Sequence, residues 1–209
     1  MTSPWIQLRS GAAYHYGTRD GTLEFGLDVA KPLSRISRFL GHTLVPWSVA
    51  AHAVCCSRFA ETKGWSAELQ WLCLHHDDHE CLIGDMPAPM KAWLSRSAEV
   101  KLALIHLRHA ADQTLLDAFG ENGYRLPLNA DEKALVKLAD NALLMGESRE
   151  LMLPPPDDWG VPVDPGDAVI AEAIVNRYLS LGEGWGQDAE TEYRIADAEL
   201  RKAMGWPLQ

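Results

Sequence analysis

The alternation of apolar and polar positions divides the chain into a short irregular start and a long helical remainder. Up to residue 30, glycines separate short aromatic pieces such as Tyr14-His15-Tyr16, a pattern typical of turns or a small hairpin. From Lys31 onward, apolar residues recur at spacings of three and four, which is the period of an amphipathic helix. This pattern predicts a first helix that continues from Lys31 through Leu40.

The same period predicts further helices down the rest of the chain, and no strand-like alternation of convincing length appears after residue 30. The predicted helices cover about 47–62, 66–84, 87–93, 97–119, 167–181 and 188–204, with Ser66 as a candidate cap of the second. A further helix is predicted to start at a cap, Asn129 or Asp131, and to include the apolar repeat from Leu135 to Leu143. The fold class is therefore predicted to be all-α, a single helical bundle with a hairpin-like N-terminal segment. We expect an N-terminal segment over 1–30, a helical core over 31–152, and a Pro/Gly-rich loop with C-terminal helices over 153–209 that pack on the same domain.

The composition and net charge limit the kinds of molecule that the protein is expected to bind. The 209 residues are 47% hydrophobic and 23% charged, as in a globular domain, and the net charge is −10. A charge of this sign argues against binding to nucleic acid or to an acidic membrane surface, although a metal or a local arginine can still make one pocket attractive to a small anion. No apolar run is long enough for a membrane span, and Met1–Arg9 lacks the features of a signal peptide.

Four cysteines lie in apolar stretches and form no C-x-x-C pair; they are Cys55, Cys56, Cys73 and Cys81. Buried free thiols are typical of a reducing compartment, so we expect a cytoplasmic protein.

The stretch from His75 to Asp85 concentrates histidines and acids inside an apolar segment. A buried carboxylate is costly unless it is paired or bound to a metal. On a continuous helix, His76 and Glu80 lie one turn apart on the same face with Asp77 beside them. Imidazole nitrogen and carboxylate oxygen directed at one point form a donor set that a divalent transition metal accepts.

Two further ligands would have to come from other helices. His52 stands among small apolar residues in Val49–Val54, and Asp140 is an acid embedded in an apolar helix. Each residue alone has an ordinary explanation, as a core histidine or as a solvated acid. The ordered set of one histidine, a His-Asp pair and an aspartate on three predicted helices is a much stronger signal of a metal site.

These residues resemble the metal-binding signature of the HD-domain phosphohydrolases, above all the HD-domain 5′-deoxynucleotidases. The run H-D-x-x-E-x-x-x-x-D-x-P-x-P-x-K of that family is matched by His76, Asp77, Glu80, Asp85, Pro87, Pro89 and Lys91. The family's Arg-aromatic element is matched by Arg38-Phe39, and its K-x-A-D by Lys137–Asp140. The segment Ser37–Thr43 is also similar to a phage and bacterial branch that includes dATP triphosphohydrolases.

The resemblance implies a role for each matched residue. His52, His76, Asp77 and Asp140 would hold one divalent transition metal such as Co²⁺, Mn²⁺ or Zn²⁺. Glu80 would handle the proton of the attacking water, while Asp85 would assist it, bind a second metal such as Mg²⁺ with a polyphosphate substrate, or simply cap the helix that opens at Pro87. Arg38 and Lys91 would contact phosphate, and Phe39 would pack on the sugar or base.

The sequence departs from the family pattern at three places. Phe39 stands where tryptophan is usual, and Ala51 precedes His52 where glutamate is usual. Asp78 and His79 fill positions that usually hold small residues; they would either add a metal ligand or be solvated, and we favour solvated side chains. A structural role is favoured for His42, a second-shell or packing role for His75, and Trp47 and Trp93 are expected in the core or in the pocket wall.

The leading hypothesis is thus a phosphohydrolase that releases phosphate from a 5′-deoxynucleoside monophosphate. A dNTP triphosphohydrolase that releases triphosphate is the alternative, and an HD domain that senses nucleotides without turnover is the alternative outside enzymes. The partner expected is a small nucleotide, with no nucleic acid and no membrane, and similar enzymes imply a homo-oligomer.

Overall fold

The chain folds into a helical bundle preceded by a small antiparallel hairpin. This computed structural model describes residues 4–19, 22–127 and 129–208. Strands β1 (Trp5–Gln7) and β2 (Ala13–His15) pair with Ile6 opposite Tyr14. The all-α class predicted from the sequence is confirmed. Within the described ranges, this two-stranded hairpin is the one β-sheet.

Helices account for most of the remaining chain. Their bounds are α1 Lys31–Leu33, which continues a π-helical turn over Phe25–Ala30, α2 Val49–Thr62, α3 Ala67–Leu74, α4 Glu80–Ile83, α5 Ala88–Leu94, α6 Ala98–Phe119, α7 Ala130–Leu151, α8 Pro165–Leu181 and α9 Gly186–Met204. Five helices begin at a residue whose side chain accepts a backbone N–H of the first turn: Ser48 for α2, Ser66 for α3, Ser97 for α6, Asn129 for α7 and Asp164 for α8. Such caps satisfy amide donors that have no partner within the helix.

The prediction of one helix from Lys31 to Leu40 is wrong. α1 ends at Leu33, and the chain then turns into a 3₁₀ segment over Arg38–Gly41, where Phe39 and Leu40 adopt left-handed φ values of 54° and 53°. L-residues pay about 1–2 kcal/mol each for this conformation. The two residues therefore redirect the chain at a point where the sequence carries a helical period.

The core lies between α2, α3 and α7, with α8 and α9 packed against them. Helices α7 and α8 approach closely at Gly146, where a Cβ atom would lie 2.9 Å from the backbone of Ala171. Any side chain at Gly146 would push these helices apart. The four cysteines are buried free thiols, as expected.

Helices α5 and the first half of α6 stand away from this core. Trp93 on α5 is 64% exposed, so its predicted place in the core or pocket wall is wrong, whereas Trp47 is fully buried. Across the described ranges, every helix is too short or too polar to cross a membrane. The division into segments 1–30, 31–152 and 153–209 stays a prediction.

Candidate metal centre and its cavity

His52 presents one ring nitrogen to the candidate site from the second turn of α2. The ring is fully buried, and its Nδ1 lies 2.8 Å from Oε1 of Glu147. Because the carboxylate oxygen accepts, Nδ1 carries the proton and donates. The second nitrogen, Nε2, faces Oδ1 of Asp140 at 3.3 Å.

His76 is held in the same manner by a different partner. Its Nδ1 donates to the carbonyl oxygen of Cys73 at 2.8 Å, so Nε2 is the nitrogen left to bind a metal once it is deprotonated. That Nε2 lies 3.0 Å from Oδ2 of Asp77 and 3.9 Å from Oδ1 of Asp140, and it is buried without a well-aligned hydrogen bond. The rings of His52 and His76 are 5.3 Å apart. The four side chains proposed as ligands thus converge on one space.

The route to this convergence differs from the prediction of one continuous helix over 66–84. Helix α3 ends at Leu74, and residues 75–79 form successive turns in which Asp78 N donates to His75 O and Glu80 N to Asp77 O. Neighbouring residues on a helix point about 100° apart, so a helix would have separated His76 from Asp77. The turns instead bring these two side chains to the same point.

A buried polar network behind the site fixes these turns. Asp78 accepts from His75 Nδ1 at 2.8 Å and from the Tyr193 hydroxyl, while His75 Nε2 lies 3.1 Å from Oδ1 of Asp197. The Nε–H of Arg201 also donates one bifurcated hydrogen bond to the two carboxylate oxygens of Asp197, at 2.8 and 2.9 Å. The carboxyl-terminal helix α9 therefore holds the loop that carries His76 and Asp77.

Asp78 and His79 are not solvated, contrary to the expectation from sequence. Their exposed fractions are 1% and 3%. Asp78 belongs to the network with α9, and His79 Nδ1 lies 3.6 Å from Oδ1 of Asp112 on α6. Burial lowers the pKa of His79 to about 3, so this ring is neutral. The placement of His75 agrees with the second-shell or packing role favoured from the sequence.

The sequence did not reveal the role of Glu147, which organises the deepest part of the site. This carboxylate is fully buried on α7. Its Oε1 accepts from Trp47 Nε1 and His52 Nδ1, both at 2.8 Å, and its Oε2 accepts from Arg38 Nε at 2.9 Å. The available signal was its spacing of seven residues from Asp140, which places both acids on one face of a helix.

The histidines and two of the carboxylates shift each other's pKa in opposite directions. Burial raises the pKa of Asp140, but His52 and His76 outweigh it and hold this pKa below its usual range. The pKa of Asp77 also lies well below its usual range, because His76 outweighs burial. Burial lowers the pKa of His76, but Asp77, Asp140 and the carbonyl of Cys73 raise it to about 9. In the absence of a metal ion, protonated His52 and His76 therefore balance the negative charge of Asp77 and Asp140.

Glu80 behaves differently from these ligands. Burial, reinforced by Asp77 and Asp85, raises the pKa of Glu80 to about 9. Its Oε2 is buried without a hydrogen-bond partner. Ligand atoms of Asp77, His79 and Glu80 lie within 4.8 Å of one another. A protonatable carboxyl beside ionised ones is the arrangement that acid–base chemistry needs.

Asp85 does not cap the next helix. Helix α5 begins after Pro87 without a side-chain cap, so that alternative for Asp85 is wrong. Asp85 is instead half-buried and faces a cavity of about 890 Å³. The cavity wall contains eight of the predicted site residues: Arg38, Phe39, His76, Asp77, Glu80, Asp85, Lys91 and Asp140. His42 is exposed and lies outside this wall.

The donor set fits a divalent transition metal. His76 Nε2 is buried without a well-aligned donor or acceptor, and His52 Nε2 faces a carboxylate oxygen, so two imidazole nitrogens that can bind a metal once deprotonated share one space with two carboxylates. In both histidines the other nitrogen donates to an oxygen, which is how metal-binding imidazoles are oriented. Cys56 Sγ also lies 3.4 Å from His52 Nε2, but burial raises the pKa of this thiol well above its usual range. Nitrogen and oxygen are therefore the ready donors.

Comparison with known proteins places the chain in a family. No protein-family model matches it. The uncharacterized protein YfdR of Escherichia coli K12 is 33% identical over 157 residues, which cover 75% of this chain and 78% of YfdR. The chain belongs to the YfdR family.

A solved structure also resembles the chain at low similarity. It is the HD phosphohydrolase DatZ of cyanophage S-2L, bound to dA and one catalytic Zn²⁺ ion. The identity is 18% and the TM-score 0.45, over 88% of this chain and 99% of DatZ.

Proposed function

We propose that this protein is a metal-dependent phosphohydrolase that releases phosphate from 5′-deoxynucleoside monophosphates. One observation carries the proposal: His52, His76, Asp77 and Asp140 converge beside Glu80, at a cavity whose wall also holds Arg38 and Lys91. The sequence resemblance to the HD-domain 5′-deoxynucleotidases supports the choice of substrate.

The four ligands would hold one divalent transition metal. When bound, such an ion lowers the pKa of water towards neutrality and screens charge on a phosphoryl group. The protein's own groups orient the two histidines. The buried Glu147 fixes the tautomer of His52 by accepting from Nδ1, and the carbonyl of Cys73 does the same for His76. Both imidazoles are therefore oriented before substrate arrives.

Glu80 is the group best placed to handle a proton. It is 3% exposed and lies beside Asp77, so its side chain reaches the reaction space without contact with bulk water. Its raised pKa makes it a good proton acceptor near neutral pH once a cation is present to stabilise the ionised form. Asp85 would assist it, or bind a second metal such as Mg²⁺ with a polyphosphate.

Arg38 and Lys91 would neutralise the substrate's phosphate. Arg38 is nearly buried and stays charged, because Glu147 and Asp140 raise its pKa although burial lowers it. Its Nε is bonded to Glu147, and the guanidinium also borders the cavity. A planar guanidinium binds phosphate through two parallel hydrogen bonds, whereas Lys91 offers a point charge.

A triphosphohydrolase is the second candidate, and one observation favours it. Beyond Arg38 and Lys91, the same cavity is bordered by Arg108, Arg125, Lys133 and Lys137. Arg125 and Lys137 pair with Glu132 and Asp140, but six cations are still more than a single phosphate needs, and a triphosphate carries correspondingly more charge. A nucleotide sensor without turnover is the outcome if no product forms.

The test is product analysis on purified protein that has been stripped with a chelator and reloaded with Co²⁺, Mn²⁺, Zn²⁺ or Mg²⁺. Deoxynucleoside and ribonucleoside mono- and triphosphates are supplied, and orthophosphate, pyrophosphate and triphosphate are resolved. We expect orthophosphate from deoxynucleoside monophosphates, whereas triphosphate from dNTPs would establish the second candidate. Absence of product with every metal would contradict both.

Two variants separate metal binding from proton transfer. Asp77→Ala should lose both bound metal and activity while the helical circular dichroism is retained. Glu80→Gln should keep the metal and lower the rate by about 10²- to 10⁴-fold, the range for a general acid or base. The matched control is Asp117→Asn, an exposed acid on α6 that pairs with Arg19 outside the cavity. Full activity in Glu80→Gln would overturn the role given to Glu80.

A further inference from the structure

The loop between α7 and α8 contributes an aromatic ring to the wall of the cavity. Trp159 is half-buried and borders the cavity together with Val161. Gly160, with a left-handed φ of 64°, follows it, and Gly160 N donates to Oδ1 of Asp158. This tight turn presents the indole ring at the tip of the loop.

Trp159 meets the aromatic residue that follows Arg38. The rings of Trp159 and Phe39 lie 5.8 Å apart in an edge-to-face arrangement with an interplanar angle of 79°. The guanidinium carbon of Arg38 lies 5.4 Å from the centre of the Phe39 ring. Phe39 holds this position through a strained left-handed backbone, which a purely structural packing contact does not require.

The two rings meet at nearly a right angle and so form an aromatic corner of a cavity that is lined elsewhere by both charged and apolar side chains. A volume of about 890 Å³ far exceeds what a phosphate group and a metal ion fill, and it lies within the range of sites for small organic ligands. Arg38 joins the aromatic corner to the ligands, because the Glu147 carboxylate that binds Arg38 also binds His52. Because Arg38 also lies against the Phe39 ring, a ligand whose phosphate binds Arg38 would have the two rings close to it.

We infer that Trp159 and Phe39 form the nucleobase subsite, and that Trp159 is a specificity-determining residue which makes the enzyme select phosphate esters that carry a base. This inference rests on the proposed function and adds a residue outside the motifs that suggested it. The flat face of a base stacks on indole or phenyl rings whatever its hydrogen-bonding edge. Trp159 thus contributes to affinity for the base and not to the chemical step.

The test compares two substrates that differ only in the base: 2′-deoxyadenosine 5′-monophosphate and 2-deoxyribose 5-phosphate. We measure kcat and KM for the wild type, Trp159→Ala, Trp159→Phe and the control Trp5→Ala, which removes an exposed tryptophan on β1. Stacking on one ring is worth a factor of about 5 to 150 in affinity. Trp159→Ala should raise KM for the nucleotide by about that factor, with kcat changed less than about threefold.

The other measurements distinguish recognition of the base from a general structural effect of the substitution. Trp159→Ala should leave both constants for 2-deoxyribose 5-phosphate unchanged, Trp159→Phe should restore most of the nucleotide affinity, and Trp5→Ala should match the wild type. Equal losses on both substrates, or no loss on either, would overturn the inference. If the wild type hydrolyses neither compound, the proposed function fails, and equilibrium dialysis of the nucleotide against metal-loaded protein then decides the inference. Weaker binding by Trp159→Ala than by the wild type would support it, and equal or absent binding would overturn it.

Discussion

At the scale of single residues, the most consequential side chain is one that touches no proposed substrate. Glu147 is fully buried and accepts hydrogen bonds from Arg38, Trp47 and His52. It thereby joins the cation proposed to bind phosphate to one of the histidines proposed to bind the metal. Arg38 and His52 hold the pKa of Glu147 below its usual range although burial raises it, so the carboxylate is ionised.

Replacement of this residue should weaken the metal site. Glu147→Gln keeps the shape of the side chain but removes its charge, and an amide can donate to His52 Nδ1 as readily as accept, so the tautomer is no longer fixed. Loss of such a partner typically costs 10- to 100-fold in metal affinity. We expect a loss in this range, measured by competition of Zn²⁺ or Co²⁺ between the protein and a chromogenic chelator.

The matched control is Glu150→Gln, a half-buried acid three residues further along the same helix. It should change metal affinity less than twofold. Equal affinity in Glu147→Gln and wild type would show that Glu147 serves the fold and not the site.

At the scale of elements, the site depends on how separate helices constrain one short loop. Residues 75–79 connect α3 to α4. On one side, Tyr193 and Asp197 of α9 form hydrogen bonds with side chains of this loop. Helix α6 approaches from the other side, where Asp112 faces His79 at 3.6 Å. The loop is therefore shaped by long-range contacts and not by its own helical period.

The contact with α6 predicts a pH dependence of stability. Burial raises the pKa of Asp112 to about 6, above its value of 3.8 in an unfolded chain, although Arg108 and His109 oppose the shift. A raised carboxyl pKa means that the folded state binds the proton more tightly, so ionisation of Asp112 lowers stability as the pH rises from about 4 to 6. Asp112→Asn removes this loss because the amide does not ionise.

The expected result is that metal-free Asp112→Asn and wild type unfold with equal free energy near pH 4, and that the variant gains up to about 3 kcal/mol by pH 7. Urea denaturation of chelator-treated protein across this pH range measures it. Asp117→Asn, an exposed acid on the same helix, should change the free energy of unfolding by less than about 1 kcal/mol. A gap between Asp112→Asn and wild type that did not widen with pH would contradict the account.

At the scale of the whole molecule, the features that could be predicted from the sequence are those that depend on hydrophobic periodicity and on the spacing of motifs. The all-α class follows from long helical repeats, and His52 and Asp140 stand out because polar residues in apolar helices are rare. Their convergence with His76 and Asp77 in the structure supports the proposed ligand set. Two helix caps were also candidates from the sequence, Ser66 and, as an alternative to Asp131, Asn129, because local sequence determines such caps.

The features that the sequence did not reveal are those that tertiary contacts impose. The helix over 66–84 breaks because the side chains of His75 and Asp78 bond each other and α9, more than a hundred residues away. Phe39 and Leu40 adopt a left-handed backbone without a glycine to signal it. In the sequence, Glu147 resembles an ordinary helical glutamate. Its three hydrogen-bond partners lie 95 to 109 residues away along the chain, so only the fold brings them to it.

The central claim is that four side chains from α2, α7 and the 75–79 loop hold one metal ion. Anomalous diffraction from crystals loaded with Zn²⁺ and recorded on both sides of the zinc edge tests this directly. The account predicts one strong peak about 2.0–2.2 Å from Nε2 of His52, Nε2 of His76 and one carboxylate oxygen each of Asp77 and Asp140. A peak at Cys56 or at Asp77, His79 and Glu80 instead, or no peak at all, would contradict it.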